Sequence, residues 1–387
     1  MKLKVIAPVA LVFSVALVLV FISVISYQNA RETVDWAKGK ELTGLSAMIE
    51  ELLREEQHQA VAEAEMLAAL PQVGELAAKG DRDGLIKMLM PGYRKEVTKY
   101  GIESSAIILP PATTLLRLHD PDKFGDDQSV NRPIYVFANQ TREVESGLEI
   151  SSVAGIRGVA PIYNGDIHVG ALEWAIGLEP LVADLKSITG AEVAVMIKGS
   201  VIPAQSHIRD NQSHTLKDFI AAQATDWTYL SGALRETDVD QANEAAVSTR
   251  TVAGIDVGVV KVPLFDFSGR NVGVVLAVKE ISAFGRTLKD TLVHLTMAAG
   301  IGLLVTAGVS LLIISGLLLR PLERLGARLK SLAGGDFSTK VEAVARRDEI
   351  GVLAASIESL RVDLLRRYPP GSAPPLPAAD QNQEVAR

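Results

Sequence analysis

Two long uncharged runs, a series of short alternating ones and two narrow seams of spaced leucines divide this chain. From Val5 to Ala30 no Asp, Glu, Lys or Arg occurs, and none occurs again between Thr291 and Leu319. Each run is at least as long as the roughly 20 apolar residues that cross a bilayer, so spans are predicted over 5–27 and 291–319. After the first run, Leu42, Leu45, Ile49 and Leu52 return at helical spacing, in a stretch to residue 70 rich in Ala, Glu, Leu and Gln. A long helix is predicted to rise from the first span. Pro71 is a candidate break in it and Pro91-Gly92 its expected end, because proline has no backbone donor.

From about residue 104 the period changes to two. Residues 105–109, 113–118, 156–163 and 168–176 read as half-buried strands, the last two joined by a turn at Asn164-Gly165. Residues 192–197, 246–252, 255–262 and 272–278 repeat the plan, with Ser268-Gly269-Arg270-Asn271 as the matching turn. Residues 180–188 read as a connecting helix, and 207–240 carry no pattern that places them. The region 28–290 is thus predicted to hold two similar α+β units in series, a distal one over about 96–180 and a proximal one over about 190–283.

Beyond the second span, Leu322, Leu325, Leu329 and Leu332 step by 3, 4 and 3, and Ile350, Leu353, Ile357, Leu360 and Leu364 step by 3, 4, 3 and 4. One seam per helix is too thin to make a core within one chain. Two helices from each of two chains would close such seams into a parallel four-helix coiled coil, so a homodimer is expected. The tail, 367–387, contains Pro369, Pro370, Pro374, Pro375 and Pro377 and is expected to be disordered.

Charge orients this scheme. Lys2 and Lys4 precede the first run, and Arg320, Arg324, Arg328 and Lys330 follow the second, so the positive-inside bias places the N-terminus (1–4) and the C-terminal region in the cytoplasm. The first run is longer than the apolar core of a secretory signal and lacks a clear small-x-small site after it, so it is expected to stay as a span. Residues 28–291 carry 26 basic and 37 acidic side chains, a balance that repels nucleic acid and removes it as a partner. Without cysteine there are no disulfides and no thiolate metal sites.

Few motifs suggest chemistry. Gly334-Gly335-Asp336-Phe337 superficially matches a cyclase signature, but heptad helices flank it where a cyclase needs an α/β domain. Asp120-x-Asp122-x-x-Gly125 imitates part of a calcium loop, yet Phe124 and Asn131 stand where two oxygen ligands are required. No metal, cofactor or catalytic residue is expected, and the six scattered histidines fit no zinc or phosphoacceptor pattern. Ala298, Gly302, Thr306 and Ser310 form a stripe of small side chains that lets helices in a membrane approach closely in a dimer.

Residues 320–366, with Pro321 just past the membrane, Gly335-Asp336-Phe337 opening a connector and Asp348-Glu349-Ile350-Gly351 opening the second helix, resemble a HAMP relay domain. The outer segment resembles a double Cache sensor domain of chemoreceptors and sensor kinases. That likeness rests on Arg117-Leu118-His119-Asp120-Pro121-Asp122-Lys123-Phe124-Gly125-Asp126-Asp127, Arg132-Pro133, residues 155–163 from Gly155 to Tyr163, and Gly170-Ala171-Leu172-Glu173. It implies two tandem PAS-like units, a ligand pocket in the distal one, and dimers. The whole would be a non-enzymatic, two-pass inner-membrane receptor with its sensor outside. Receptors of this kind normally continue after HAMP into a transmitter, whereas this sequence stops about 20 residues later. A transmitter-bearing receptor or kinase acting in trans is therefore the expected partner; the rival expectation is a receptor fragment without output, or an envelope protein that only sequesters its ligand.

Within the distal unit, Arg117, His119, Arg132, Tyr135, Arg157, Tyr163, Glu173 and Trp174 are the candidate ligand contacts. They bring cations, hydroxyls and an aromatic wall of the kind that recognises a small polar molecule, and the arginines could grip a carboxylate with paired donors. The competing reading is that they pin the long loop to the sheet. Pro321, Leu325, Gly335, Phe337, Glu349 and Ile350 are the candidate relay residues in the HAMP-like segment.

Overall fold

The computed structural model describes residues 3–240 and 243–367. The tail expected to be disordered lies outside them except for Arg367, as do Met1 and Lys2. The chain divides into two compact units, Glu32–Thr287 and Met1–Arg31 with Leu288–Arg387.

The first unit holds α1 (Leu3–Ala68) from residue 32 on, followed by α2 (Pro71–Lys79) and α3 (Arg82–Tyr100). Pro71 does break the helix, and it opens α2 in its first turn, where a missing N–H is harmless. Pro91 does not end the next one. α3 runs through it to Gly101, whose φ of 67° closes the helix. Leu85, Leu89 and Tyr93 anchor one face of α3 in the core, while Pro91 and Lys87, whose carbonyl loses its donor, face solvent. Burial of that face outweighs the one lost hydrogen bond.

The distal sheet contains β1 (Ile102–Leu109), β2 (Thr113–Arg117), β3 (Glu145–Ile150), β4 (Ala154–Asn164) and β5 (Ile167–Gly177) in the antiparallel order β2-β1-β5-β4-β3. Between β2 and β3 lies α4 (Pro133–Thr141). One sheet face packs on the α1–α3 helices through Ile107, Ala160, Ile162, Leu172 and Trp174. That approach is backbone to backbone at Gly158, where an added Cβ would sit 2.3 Å from the Ala60 carbonyl oxygen. The opposite face carries a smaller core with Ala106, Ile108, Ile134, Tyr135 and Val159, closed by α4.

After α5 (Leu178–Thr189) comes the proximal sheet, with β6 (Glu192–Lys198), β7 (Thr215–Leu216), β8 (Phe219–Ala224), β9 (Ala246–Val252), β10 (Ile255–Phe265) and β11 (Asn271–Glu280) in the order β7-β8-β6-β11-β10-β9. The unplaced stretch 207–240 supplies β7, β8 and α6 (Trp227–Ala233), so it completes this sheet. Two α+β halves on a long helix are the arrangement the sequence predicts.

The second unit contains the apolar part of α1, then α7 (Ser282–Ile313) from residue 288 on, a π-helical segment Ile314–Leu319, α8 (Arg320–Ala333) and α9 (Glu349–Arg367). The two helices that include the uncharged runs are long and apolar enough to cross a membrane. Within the small-residue stripe, Gly302 faces the first apolar run of the same chain, where a Cβ would be 3.4 Å from Leu19; Ser310 is buried and Ala298 exposed. In α8 and α9, Leu325, Leu332, Ile350 and Ile357 share a core with Ala354 and Val341, while Leu322, Leu329, Leu353 and Leu360 remain exposed.

Candidate ligand site

Strand alternation decides which candidates can meet. Along β5, Glu173 and Trp174 are neighbours and must point to opposite faces. Glu173 faces α4 and is fully buried, whereas Trp174 packs on the helical side, edge-on to Tyr93 at 6.0 Å between ring centroids. Trp174 is therefore no wall of the site. Tyr163 lies half-exposed at the tip of the β4–β5 hairpin, edge-on to His168 at 5.6 Å, away from the charged residues on that face.

Four of the expected residues converge. Arg157 on β4, 1% exposed, donates from Nη1 to Glu173 and, at 3.1 Å, to the Ser104 hydroxyl, and from Nη2 to Ser151 at 3.2 Å. Arg132, which precedes α4, donates from Nη2 to Glu173 at 2.6 Å and from Nε to Glu149. The Tyr135 hydroxyl donates to the other Glu173 oxygen. Burial would raise the Glu173 pKa, but Arg132, Arg157 and the Tyr135 hydrogen bond outweigh it and hold the carboxyl at about 2. Burial likewise would lower Arg132, and Glu173 and Glu149 more than reverse that.

Arg117 and His119 stand apart from this centre. Both Arg117 guanidinium nitrogens Nη1 and Nη2 grip Asp126, at 2.8 and 2.7 Å, and Nη1 also donates to the Lys123 carbonyl at 2.8 Å. This pair depresses Asp126 to about 2 and fastens the loop to β2. Arg82 fastens the same loop from α3, donating from Nη2 to the Pro121 carbonyl and from Nε to the Leu115 carbonyl of β2 at 3.0 Å, with its guanidinium 3.4 Å above the Phe124 ring. For Arg117, loop pinning is the role that the contacts define. His119 follows β2; desolvation of its ring and the nearby Arg117 cation outweigh the pull of Glu173 and lower its pKa.

Two acids the sequence reading missed complete the site. Glu149 on β3 is 4% exposed, and its Oε1 has no hydrogen-bond partner. Glu103 sits at the irregularity in the β1–β5 pairing and stretches over Gly155, where a Cβ would lie 2.7 Å from its Oε2. Neither Glu103 oxygen has a hydrogen-bond partner, and Arg157 Nε makes no hydrogen bond although it stands 3.4 Å from Glu149 Oε2 in an ion pair. Burial and the nearby Glu173 raise the Glu103 pKa against the opposing pull of Arg157 and Arg132. The result is a buried, mostly neutralised charge network in which two guanidiniums face three carboxyls, with several acceptor atoms still open.

The relay candidates also take definite places. Pro321 lies in the first turn of α8, Leu325 and Ile350 are buried between α8 and α9, and Glu349 starts α9. Gly335 has φ 92°, and the Phe337 carbonyl accepts from Arg361 Nη1 at 2.9 Å.

A family model described as the double sensory domain of two-component sensor kinase matches residues 39–284, and a HAMP domain model matches 313–366. Among solved structures, the sensory domain of the Campylobacter jejuni chemoreceptor Tlp3 is 12% identical, with 67% of this chain and 99% of that one covered at a TM-score of 0.42. The ligand-binding domain of the Pseudomonas aeruginosa amino acid chemoreceptor PctC, in complex with GABA, is 15% identical over 65% of this chain and 100% of that one, at a TM-score of 0.36. Comparison with curated protein sequences finds no match.

Proposed function

This chain belongs to the double Cache family of sensory domains, with a HAMP domain after its second apolar helix, and from that premise we propose where and how it senses. It is a two-pass inner-membrane receptor, both termini cytoplasmic, that takes a small polar molecule from the periplasm at the Arg132–Arg157–Glu173 network. The observation that supports this site is its unfinished hydrogen bonding. Buried polar groups in native cores are nearly always satisfied, yet both Glu103 oxygens and Glu149 Oε1 lie beside the two guanidiniums without hydrogen-bond partners. A ligand with complementary groups would complete them. The role is binding and relay, without catalysis.

HAMP hands the change on. The exposed Leu322, Leu329, Leu353 and Leu360 leave half of each seam for a second copy of the chain. The change passes to a signalling partner.

The test of the site is a thermal-shift screen of the full-length chain in lipid nanodiscs against polar metabolites. A true ligand at 100 times its Kd adds about 2.7 kcal/mol of stability, and Arg132→Ala should abolish the shift. A broad library without a hit would sink the receptor reading. For the dimer, Leu329→Cys in this cysteine-free sequence should give a disulfide-linked pair in membranes, and persistent monomer would count against it.

A further inference from the structure

The turn between β10 and β11 is built more firmly than a hairpin tip needs. Asp266, only 8% exposed, accepts from Ser268 N at 2.9 Å, Ser268 Oγ at 2.7 Å, Arg270 N at 3.0 Å and Arg270 Nε at 2.9 Å. This rigid proximal turn reaches the distal sheet. Asp266 forms a parallel bridge with Leu148 of β3, and the Phe267 N–H donates to the Leu148 carbonyl at 3.1 Å.

The receiving surface is shaped for it. Gly147 on β3 has φ 149°, and a Cβ there would come within 2.7 Å of Phe267 Cα. The Phe267 ring meets Phe137 of α4 edge-on, 6.0 Å between centroids, and packs on the small core under α4. Phe267 thus touches two elements that carry parts of the charged site: β3, with Glu149 two residues from Gly147, and α4, with Tyr135 in it and Arg132 just before it.

The other end of β11 is equally tied. Ile281 is buried, its N–H donates to the Asp256 carbonyl at 2.8 Å, and the Asp256 N–H donates to Ser282 Oγ at 3.2 Å, at the start of α7. An extended strand joins the two anchor points, and packed interfaces of this kind move as discrete units rather than by smooth deformation.

We propose that the Asp266–Arg270 turn reads the distal site: seated through Phe267, it transmits displacement of α4 and β3 along β11 to the first turn of α7. This rests on the assignment of the Arg132–Glu173 network as the ligand site, but its test needs no ligand. Glu103→Gln alters the charge of the network, and hydrogen exchange of the full-length chain in nanodiscs follows the Ile281 and Asp256 amides. The amide of Leu230, in α6, serves as reference for global stability. Relative to Leu230, Glu103→Gln should change Ile281 exchange by about fivefold or more, the lower edge of usual allosteric coupling.

That change should vanish in Phe267→Ala and survive in Phe267→Leu. Phe137→Ala, at a position 51% exposed, should uncouple from the other side should Phe267→Ala fail to fold. An unaltered response in Phe137→Ala or Phe267→Ala overturns the proposal, as does absence of any response with the native turn. A ligand screen without hits would remove the receptor reading while leaving a positive coupling result standing.

Discussion

Replacing Glu103 by glutamine should make this protein more stable, which is the opposite of what most substitutions at a buried polar residue do. The carboxyl lies over Gly155 with neither oxygen paired, beside the fully buried Glu173, in a network that is one guanidinium short of its carboxyls. Leaving a buried charged group unsatisfied costs about 1–3 kcal/mol or more, and glutamine keeps the shape while removing the charge. Recovery of roughly 1–2 kcal/mol in an outer unit of this size raises Tm by about 2–8 °C. The pH dependence follows from the direction of the shift. Because burial raises the folded pKa of Glu103 above its ordinary 4.5, the stability conferred by its proton is complete below that ordinary value. It is lost as pH rises through the raised folded value. Glutamine loses nothing over that range, so the difference between the two proteins should be near zero in acid and full at about pH 8. Asp126, paired with Arg117 away from Glu103, titrates alike in both proteins and cancels, and Glu173, held at about 2, is already charged where Glu103 titrates. The assay is thermal unfolding of both full-length proteins in nanodiscs across this pH range. A variant that melts with or below wild type at pH 8, or an offset that ignores pH, refutes the assignment of an uncompensated charge.

Three further outcomes are expected. Arg157→Met strips Glu173 of one buried partner and should cost about 3–5 kcal/mol, read as a lower Tm, with double substitution Arg157→Met/Glu173→Leu recovering part of it. Gly158→Ala should destabilise the outer unit by about 3 kcal/mol, because the methyl meets the Ala60 carbonyl; near-native unfolding would show that helix and sheet yield easily there. Single cysteines at Asp120 and Arg347 should react with a membrane-impermeant maleimide from opposite sides of sealed cells, and equal labelling would dismantle the two-pass topology.

The two long apolar helices, the helix that continues the first of them and both hairpin turns were legible because they depend on local signals: absence of charge, a 3.6 period, Asn-Gly and Ser-Gly pairs. α4 was not, since Pro-Ile-Tyr-Val-Phe-Ala-Asn-Gln-Thr is rich in branched and aromatic residues and only its packing under the distal sheet makes it helical. Of the site, Arg132, Tyr135, Arg157 and Glu173 could be picked out as polar residues among strand-like runs. Trp174 could have been excluded from the same alternation that admitted Glu173. Glu103 and Glu149 left no signal, because their place beside the two guanidiniums is set by strand pairing between segments far apart in sequence. Gly147 and Phe267 are far apart in sequence, and no local pattern announces that one is shaped for the other.

The widened turn Ile314–Leu319 gives the start of α8 an unusual freedom. The Arg320 N–H reaches back five residues to Ser315, and Pro321, which has no N–H, leaves the Leu317 carbonyl to Arg346 Nη2 at 3.3 Å. A π turn is an α-helix with one residue spliced in, and each residue carries about 100° of rotation but only about 1.5 Å of rise. Tightening it would swing Leu322 and Leu325 around the helix axis with almost no change in depth. The angular phase of the HAMP seam can thus be reset at this joint independently of any piston-like travel of the span.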